Sequence, residues 1–281
     1  MPLLALDTSA AVAVAVLSDE GAPIVRRSID ERRKHAEALT PLIAEALMAA
    51  GATPRDLTAV AVGTGPAPFT GLRVGLVTAR TIAAALGVPV WGVPSLDAVA
   101  MHAAGLMRLA PGDEILAVAD ARRKEVYWAR YRVSDIVAEQ VSIDDGGQYS
   151  ADLRARHGVT DNRDIAFRFT NVPLLRCIDG PGVAKPADVA AEQAGRTSTG
   201  RTVVVGEGAR MYADHFTPIA PDAAVTPLLP DAAIIGWLAA ARAAAGNDVS
   251  TDPLYLRRPD VHEPAAAAAA PVTAAPPQTA R

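Results

Sequence analysis

The chain has 281 residues, half of them apolar but only 4% aromatic, and a net charge of −4. That length holds one large domain or two smaller lobes, with a core built on Ala, Val and Leu. The slightly acidic balance argues against a stand-alone nucleic-acid binder, and the single cysteine, Cys177, excludes an intrachain disulfide and a cysteine-rich zinc site. Local basic runs at Arg26-Arg27, Arg32-Arg33-Lys34, Arg122-Arg123-Lys124 and Arg257-Arg258 read as solvated or salt-bridged edges. A cytosolic setting fits the cysteine usage. Met1-Pro2-Leu3 leads straight into a strand with no basic leader, and the Ala-rich stretch 231–245 is too short for a bilayer and carries Arg242.

In chain order, Leu3 to Leu6 reads as a buried strand ending in the turn Asp7-Thr8-Ser9-Ala10. Ala11 to Leu17 and Ile24 to Ile29 follow, making an antiparallel meander. Leu39, Leu42, Ile43, Ala46 and Leu47 fall at helical spacing up to Gly51, with Pro41 kinking the helix or limiting its first turns. Val60 to Val62 is a strand, Thr70 to Leu86 a helix capped by Thr70 and ended by Gly87, and Val88 to Val93 a strand near an edge. Ser95 is read as the cap of a helix to about Ala104. The second half opens in the same way, with a strand from Glu114 to Ala119, the turn Asp120-Ala121-Arg122, and a strand from Val126 to Val133. From about 135 to 201 the pattern weakens and reads as an elaborated, partly loose insertion. Thr202 to Val205 is a strand meeting Gly206-Glu207-Gly208, and Asp231 caps a helix to Ala245. Beyond Pro259 the Ala/Pro composition predicts disorder.

The densest signal is Gly63-Thr64-Gly65-Pro66-Ala67-Pro68-Phe69-Thr70-Gly71-Leu72-Arg73-Val74-Gly75, a shaped turn between a strand and a helix. Such a junction either binds an anion at the helix N-terminus or holds two helices close together. The spacing matches neither G-x-x-x-x-G-K-[ST] nor G-x-G-x-x-G. Gly71 and Gly75 lie on one helix face, where missing side chains allow a neighbouring backbone to come near.

Four stretches occur together and in order. They are Leu4-Ala5-Leu6-Asp7-Thr8-Ser9, the Gly65-Pro66 to Gly75 loop, Asp120-Ala121-Arg122 with Glu125-Val126-Tyr127, and Tyr255-Leu256-Arg257. The set resembles the bacterial TsaB (YeaZ) family, well over residues 1–134 and more loosely over 202–262. The resemblance implies an α/β fold: a duplicated actin/sugar-kinase/Hsp70-like (ribonuclease H-like) mixed sheet with flanking helices and a reduced second lobe. The expected division is 1–104 for the N-terminal lobe, 105–258 for the second lobe with the insertion, and 259–281 for the tail. It further implies a non-catalytic subunit in threonylcarbamoyladenosine modification of tRNA next to the anticodon. In that family TsaD, a paralogue, carries the transferase site, and TsaE, an ATPase, joins them. The chain is then expected to pair with TsaD, to self-associate when alone, and to meet tRNA only through the complex. It is expected to have no membrane contact, no cofactor of its own, and ATP or ADP at most at the partner interface. Relatives often carry Gly-Ser where this chain has Ala67-Pro68, a stiffer loop less suited to cradling phosphate.

The catalytic relative holds its metal with an H-x-x-x-H pair. None of the five histidines here, His35, His102, His157, His215 and His262, has another four residues on. No catalytic or metal residue is therefore expected. Asp7, Thr8, Ser9, Asp120, Arg122, Gly206 and Gly208 are candidates for a vestigial nucleotide site. Against that, Asp7 also reads as an Asx turn, Asp120–Arg122 as a hairpin brace, and the glycines as a simple turn. Leu39, Leu42, Ile43 and Ala46 of the first helix, with Thr70, Leu72, Arg73, Gly75, Leu76 and Ala79 of the second, are expected at the partner interface. Some of this apolar surface must pack on the chain's own sheet. On that reading Gly75→Leu breaks the pairing and leaves the fold intact. Competing readings are a stand-alone ATP-dependent transferase or kinase acting at Asp7 and Asp120, and a peptidase. The peptidase lacks both the histidine pair and a G-x-S-x-G elbow.

Overall fold

A computed structural model describes residues 2–18, 22–29, 35–134, 175–217, 229–244, 246–247 and 249–257. The meander is present as β1 (Leu3–Asp7), β2 (Val12–Leu17) and β3 (Pro23–Ile29). Parallel β4 (Ala59–Gly63) and β5 (Val90–Val93) extend it to the order β3-β2-β1-β4-β5. Helix α1 (His35–Ala49) connects β3 to β4, and α2 (Phe69–Leu86) connects β4 to β5. Helix α3 (Ser95–Leu106) then leads into a second sheet. That sheet contains β6 (Glu114–Asp120), β7 (Val126–Val133), β8 (Leu175–Ala184) and β9 (Thr202–Val205), ordered β8-β7-β6-β9.

The two sheets repeat one plan. Each starts with an antiparallel trio and then adds a strand parallel to the first. Helix α4 (Pro186–Ala194) precedes β9 as α1 precedes β4, and α5 (Glu207–Met211) follows β9 as α2 follows β4. The second copy is smaller: α5 has 5 residues against 18 in α2, and no fifth strand follows it among the described residues. This is the duplicated actin/sugar-kinase/Hsp70-like architecture with a reduced second lobe.

β1 and β2 are buried throughout because both faces of the first sheet are covered. Leu4, Leu6, Val12, Val14 and Val16 pack beneath α1 and α2. Leu3, Ala5, Ala13 and Leu17 face α7 (Ala232–Ala244). The expected lobe division is corrected here: residues 105–258 are not one unit, since α7 returns to the first sheet. At Gly236 an added Cβ would lie 2.8 Å from Leu17 Cδ1 and 3.0 Å from Ala5 Cβ, so that helix sits close on the strands. In the second sheet, Ile115, Ala117, Tyr127 and Tyr131 pack on α3. The other face carries Leu116, Val118 and Val126 against Val189 of α4 and Phe216 of α6 (Ala213–Phe216).

The expectation of a loose 135–201 insertion is corrected for its described part, 175–201. Residues 175–194 form β8 and α4, and Arg130 of β7 explains their docking. Arg130 is 1% exposed, and it reaches Asp179 of β8 at 2.6 Å and Glu192 and Gln193 of α4 at 3.0 and 2.9 Å. A buried guanidinium requires such partners, so it ties both elements to the sheet. Residues 135–174 and the 259–281 tail lie outside the described residues.

Two caps differ from expectation. Helix α2 begins at Phe69 with Pro68 at its N-cap, so Thr70 lies inside the first turn. Helix α3 begins at Ser95 after Pro94, and the Ser95 hydroxyl is engaged elsewhere. Asp231 does cap α7, accepting from Ala233 N at 2.7 Å, and Gly87 ends α2 with φ 69°. Pro41 sits inside α1, which continues past it. By length and composition α2 alone among the described helices could cross a membrane. One of its faces is buried on the sheet, however, and Arg73 and Arg80 lie on the other.

Candidate functional site

The glycine-rich loop is a packing device. The Thr8 hydroxyl donates to Gly71 O at 2.8 Å and accepts from Gly75 N at 3.0 Å. In a regular helix Gly75 N would donate to Gly71 O directly. The side chain of β1's terminal turn is therefore inserted into the ladder of α2. The approach excludes a side chain at Gly75 and leaves little room for one at Gly71. A Cβ on Gly75 would lie 2.5 Å from Thr8 Oγ1, and one on Gly71 would lie 3.1 Å from Thr8 O.

Asp7 is equally committed. Its Oδ1 accepts from Ser9 N at 2.8 Å and Ser9 Oγ at 2.6 Å, and its Oδ2 accepts from Ser95 Oγ at 2.6 Å. Ser95 Oγ accepts in turn from Gly65 N at 3.2 Å. Burial pushes the Asp7 carboxyl above its ordinary range, against the lowering effect of these bonds and of His35. A Cβ on Gly63 would lie 1.8 Å from Asp7 Oδ2, so β4 can run beside the carboxylate only with glycine there. The Asx-turn reading of Asp7 describes this geometry.

Above these tied residues lies a cleft of roughly 240 Å³ between the two lobes. One wall carries Thr8, Ser9, His35, Thr70 and Gly71, and the other carries Asp120, Arg122 and Glu207. The structure thus gathers Thr8, Ser9, Asp120 and Arg122 from the expected nucleotide set around one space, and Asp7 lies behind it. Arg122 N donates to Asp120 Oδ1 at 2.8 Å, and the side chains pair at 3.3 Å. Arg122, Arg123 and Lys124 have φ of 64°, 54° and 61°, three left-handed non-glycine residues in succession. Gly206, with φ 103°, and Gly208 back onto β6 rather than the cleft; added Cβ atoms would lie 2.3 Å from Val118 O and 2.7 Å from Val118 Cγ1. The sequence signal missed was Glu207 between them, which is 7% exposed and lines the cleft.

The expected interface residues divide by face. Leu39, Leu42, Ile43, Ala46, Leu72, Gly75, Leu76 and Ala79 are buried and pack on the chain's own sheet. They are core, because the helical stripe that periodicity detects is the stripe facing the sheet. Of the named set, Thr70 and Arg73 are exposed. The outward apolar side chains are Met48 of α1, 77% exposed, and Val77 of α2, 60% exposed. Arg73 stacks 3.6 Å above the Phe69 ring and donates from Nε to Tyr255 Oη at 3.0 Å. This joins two of the sequence stretches that carry the resemblance.

No three His, Cys, Asp or Glu side chains converge as metal ligands among the described residues. His102 of α3 has a different role. Burial lowers its pKa below 6.5, with Arg26 acting in the same direction and Asp231 opposing, and its Nδ1 has no partner. The unfolded chain binds that proton at a higher pH than the folded protein does, so stability falls as pH drops below 6.5 toward the lowered value. Urea midpoints are expected to fall more steeply from about pH 7 to about pH 5.5 in the natural chain than in His102→Gln. Parallel pH profiles would remove His102 as a cause.

Residues 29–155 match the tRNA N6-adenosine threonylcarbamoyltransferase (TsaD) family. An uncharacterized protein from Mycobacterium tuberculosis is 46% identical over 131 residues, covering 46% of this chain and 58% of that one. The tRNA threonylcarbamoyladenosine biosynthesis protein TsaB of Escherichia coli is 33% identical over 132 residues, covering 47% of this chain and 55% of its own. The chain thus spans little more than half the length of these relatives. Among solved structures, YeaZ from Pseudomonas aeruginosa superposes with a TM-score of 0.62 and 26% identity, covering 90% of this chain and 100% of that one. A Pseudomonas aeruginosa protein described by similarity to peptidase YeaZ gives the same TM-score at 28% identity, covering 91% and 99%.

Proposed function

Because the chain is a relative of the TsaB (YeaZ) family, we propose that it is a non-catalytic subunit for threonylcarbamoyladenosine modification of tRNA, acting by binding and activating a TsaD transferase in the cytoplasm. The observation that carries this is the Asp7 carboxylate. Kinases of this architecture keep a metal-linked carboxylate at the end of the first strand. Here both oxygens are held by Ser9 and Ser95, and Asp7 is buried and does not line the cleft. The partner seat is the outer face of α1 and α2, where Met48, Arg73 and Val77 face outward. TsaE joins through the complex, tRNA is met there, and a second copy of this chain occupies the same face when TsaD is absent.

The test is threonylcarbamoyl transfer to unmodified tRNA by the cognate TsaD and TsaE with threonylcarbamoyl-adenylate, with and without this chain. Modification appearing only in its presence, with the chain inactive alone, is the expected result. Equal modification without it rejects the subunit reading.

A second reading rests on the cleft. Its wall at the start of α2 has no side-chain cap, and Ser9 and Arg122 stand beside it. ATP or ADP held there would make the chain a nucleotide-binding subunit or a transferase of its own. Calorimetry of the isolated chain with ATP separates these readings, since heat of binding without TsaD favours the second.

A further inference from the structure

Residues 249–257 carry no regular secondary structure, yet they are fastened along their length. Gly92 N donates to Val249 O at 2.8 Å, and Leu254 N donates to Thr64 O at 2.9 Å. Arg80 of α2 holds Thr251 through Oγ1 at 2.9 Å and through its carbonyl at 2.7 Å. Gly92 is required by this contact, since a Cβ there would lie 2.0 Å from Ser250 O. All of these anchors belong to the first lobe.

The last three residues cross from it to the second sheet. Tyr255 packs on Phe69, with ring centroids 4.9 Å apart, and accepts from Arg73, so it grips the first turn of α2. Two residues on, Arg257 pairs with Glu125 and donates to Ala121 O at 3.1 Å. These two contacts flank the left-handed turn 122–124 that places Arg122 in the cleft. Tyr255 therefore holds one wall of the cleft, Arg257 holds the other, and Leu256 alone separates them.

We propose that Tyr255–Arg257 is an interlobe latch, which fixes the separation of the cleft walls and positions the basic turn carrying Arg122. A left-handed run of bulky residues persists only where its surroundings over-determine it, and Arg257 supplies that restraint from outside the hairpin. Arg73, gripped by the latch, also lies on the outer face of α2, so a protein seated on that face would meet the latch directly. The latch itself does not depend on the subunit reading, because its test uses the chain alone.

Hydrogen exchange on the full chain reads the two walls separately. Arg257→Ala touches only the 121–125 wall, and Tyr255→Ala touches only the α2 wall. Each variant is expected to raise exchange about tenfold in the wall it does not touch, 69–74 and 120–125 respectively, with β1 and α3 unchanged. Faster exchange confined to the wall each residue touches would make them separate local braces and overturn the latch. A uniform rise across both sheets, or no change, would overturn it as well.

Discussion

Gly75→Leu is expected to destabilise the fold itself rather than to leave it as stable as before and lose only a partner. The position is buried, and a Cβ would lie 2.5 Å from Thr8 Oγ1, which is already bonded to Gly75 N and Gly71 O. Relief requires moving either β1's end or the first turns of α2. Moving Thr8 breaks two hydrogen bonds, and moving α2 opens the Leu72 and Leu76 packing on the sheet. Overpacking with loss of buried hydrogen bonds costs about 3 kcal/mol or more. In a chain of this size that lowers the melting temperature by roughly 6–12 °C. A double-mutant cycle isolates the cause. Thr8→Ala removes the obstructing oxygen and lets Gly75 N return to Gly71 O, so Gly75→Ala should cost at least about 1 kcal/mol less in that background. Equal cost in both backgrounds would show that the Thr8 contact is not what excludes a side chain.

This contact also shows where sequence reasoning stopped. Periodicity located α1 and α2, the meander, and both strands that end in Asp, because those elements are apolar on faces that repeat at helix or strand spacing. Helical spacing finds the buried stripe, however, so the residues it selected as an interface are those facing the sheet. The spacing of Gly71 and Gly75 announced a close approach, yet nothing local announces that the visitor is a threonine 63 residues earlier. Asp7 was legible as an Asx turn because Ser9 lies two residues away, whereas its second oxygen is held by Ser95, 88 residues distant. β8 escaped because it is an edge strand with Gly180-Pro181-Gly182 in its middle and register shifts against β7. Its stabilising contacts come from Arg130, which in the sequence is one more charged residue in a strand. The return of α7 to the first sheet was hidden for a related reason: an Ala-rich helix fits either sheet, and only tertiary packing selects one.

On the proposed subunit reading, Val77→Asp is expected to weaken TsaD binding about a hundredfold while leaving the isolated chain as stable as before. Val77 is 60% exposed on α2, so exchanging it does not disturb the Leu72, Leu76 and Ala79 stripe beneath. Surface changes of this kind fall within about 0.5 kcal/mol in folding stability. At the centre of an interface the same change buries a carboxylate against an apolar partner surface. That costs on the order of 3 kcal/mol or more, a weakening of roughly a hundredfold. Met48→Asp on α1 tests the breadth of the face and should weaken binding in the same direction, since Met48 is 77% exposed. Leu106→Asp supplies the control. Leu106 is 60% exposed on α3, a different helix, and its replacement should leave the affinity for TsaD unchanged. Titration of each variant against TsaD, beside its thermal melt, distinguishes the cases. If Val77→Asp binds as tightly as the natural chain, the outer face of α2 is not the seat. If Leu106→Asp alone loses binding, the seat moves to α3, and the transferase would then contact the chain at the helix that joins the two sheets.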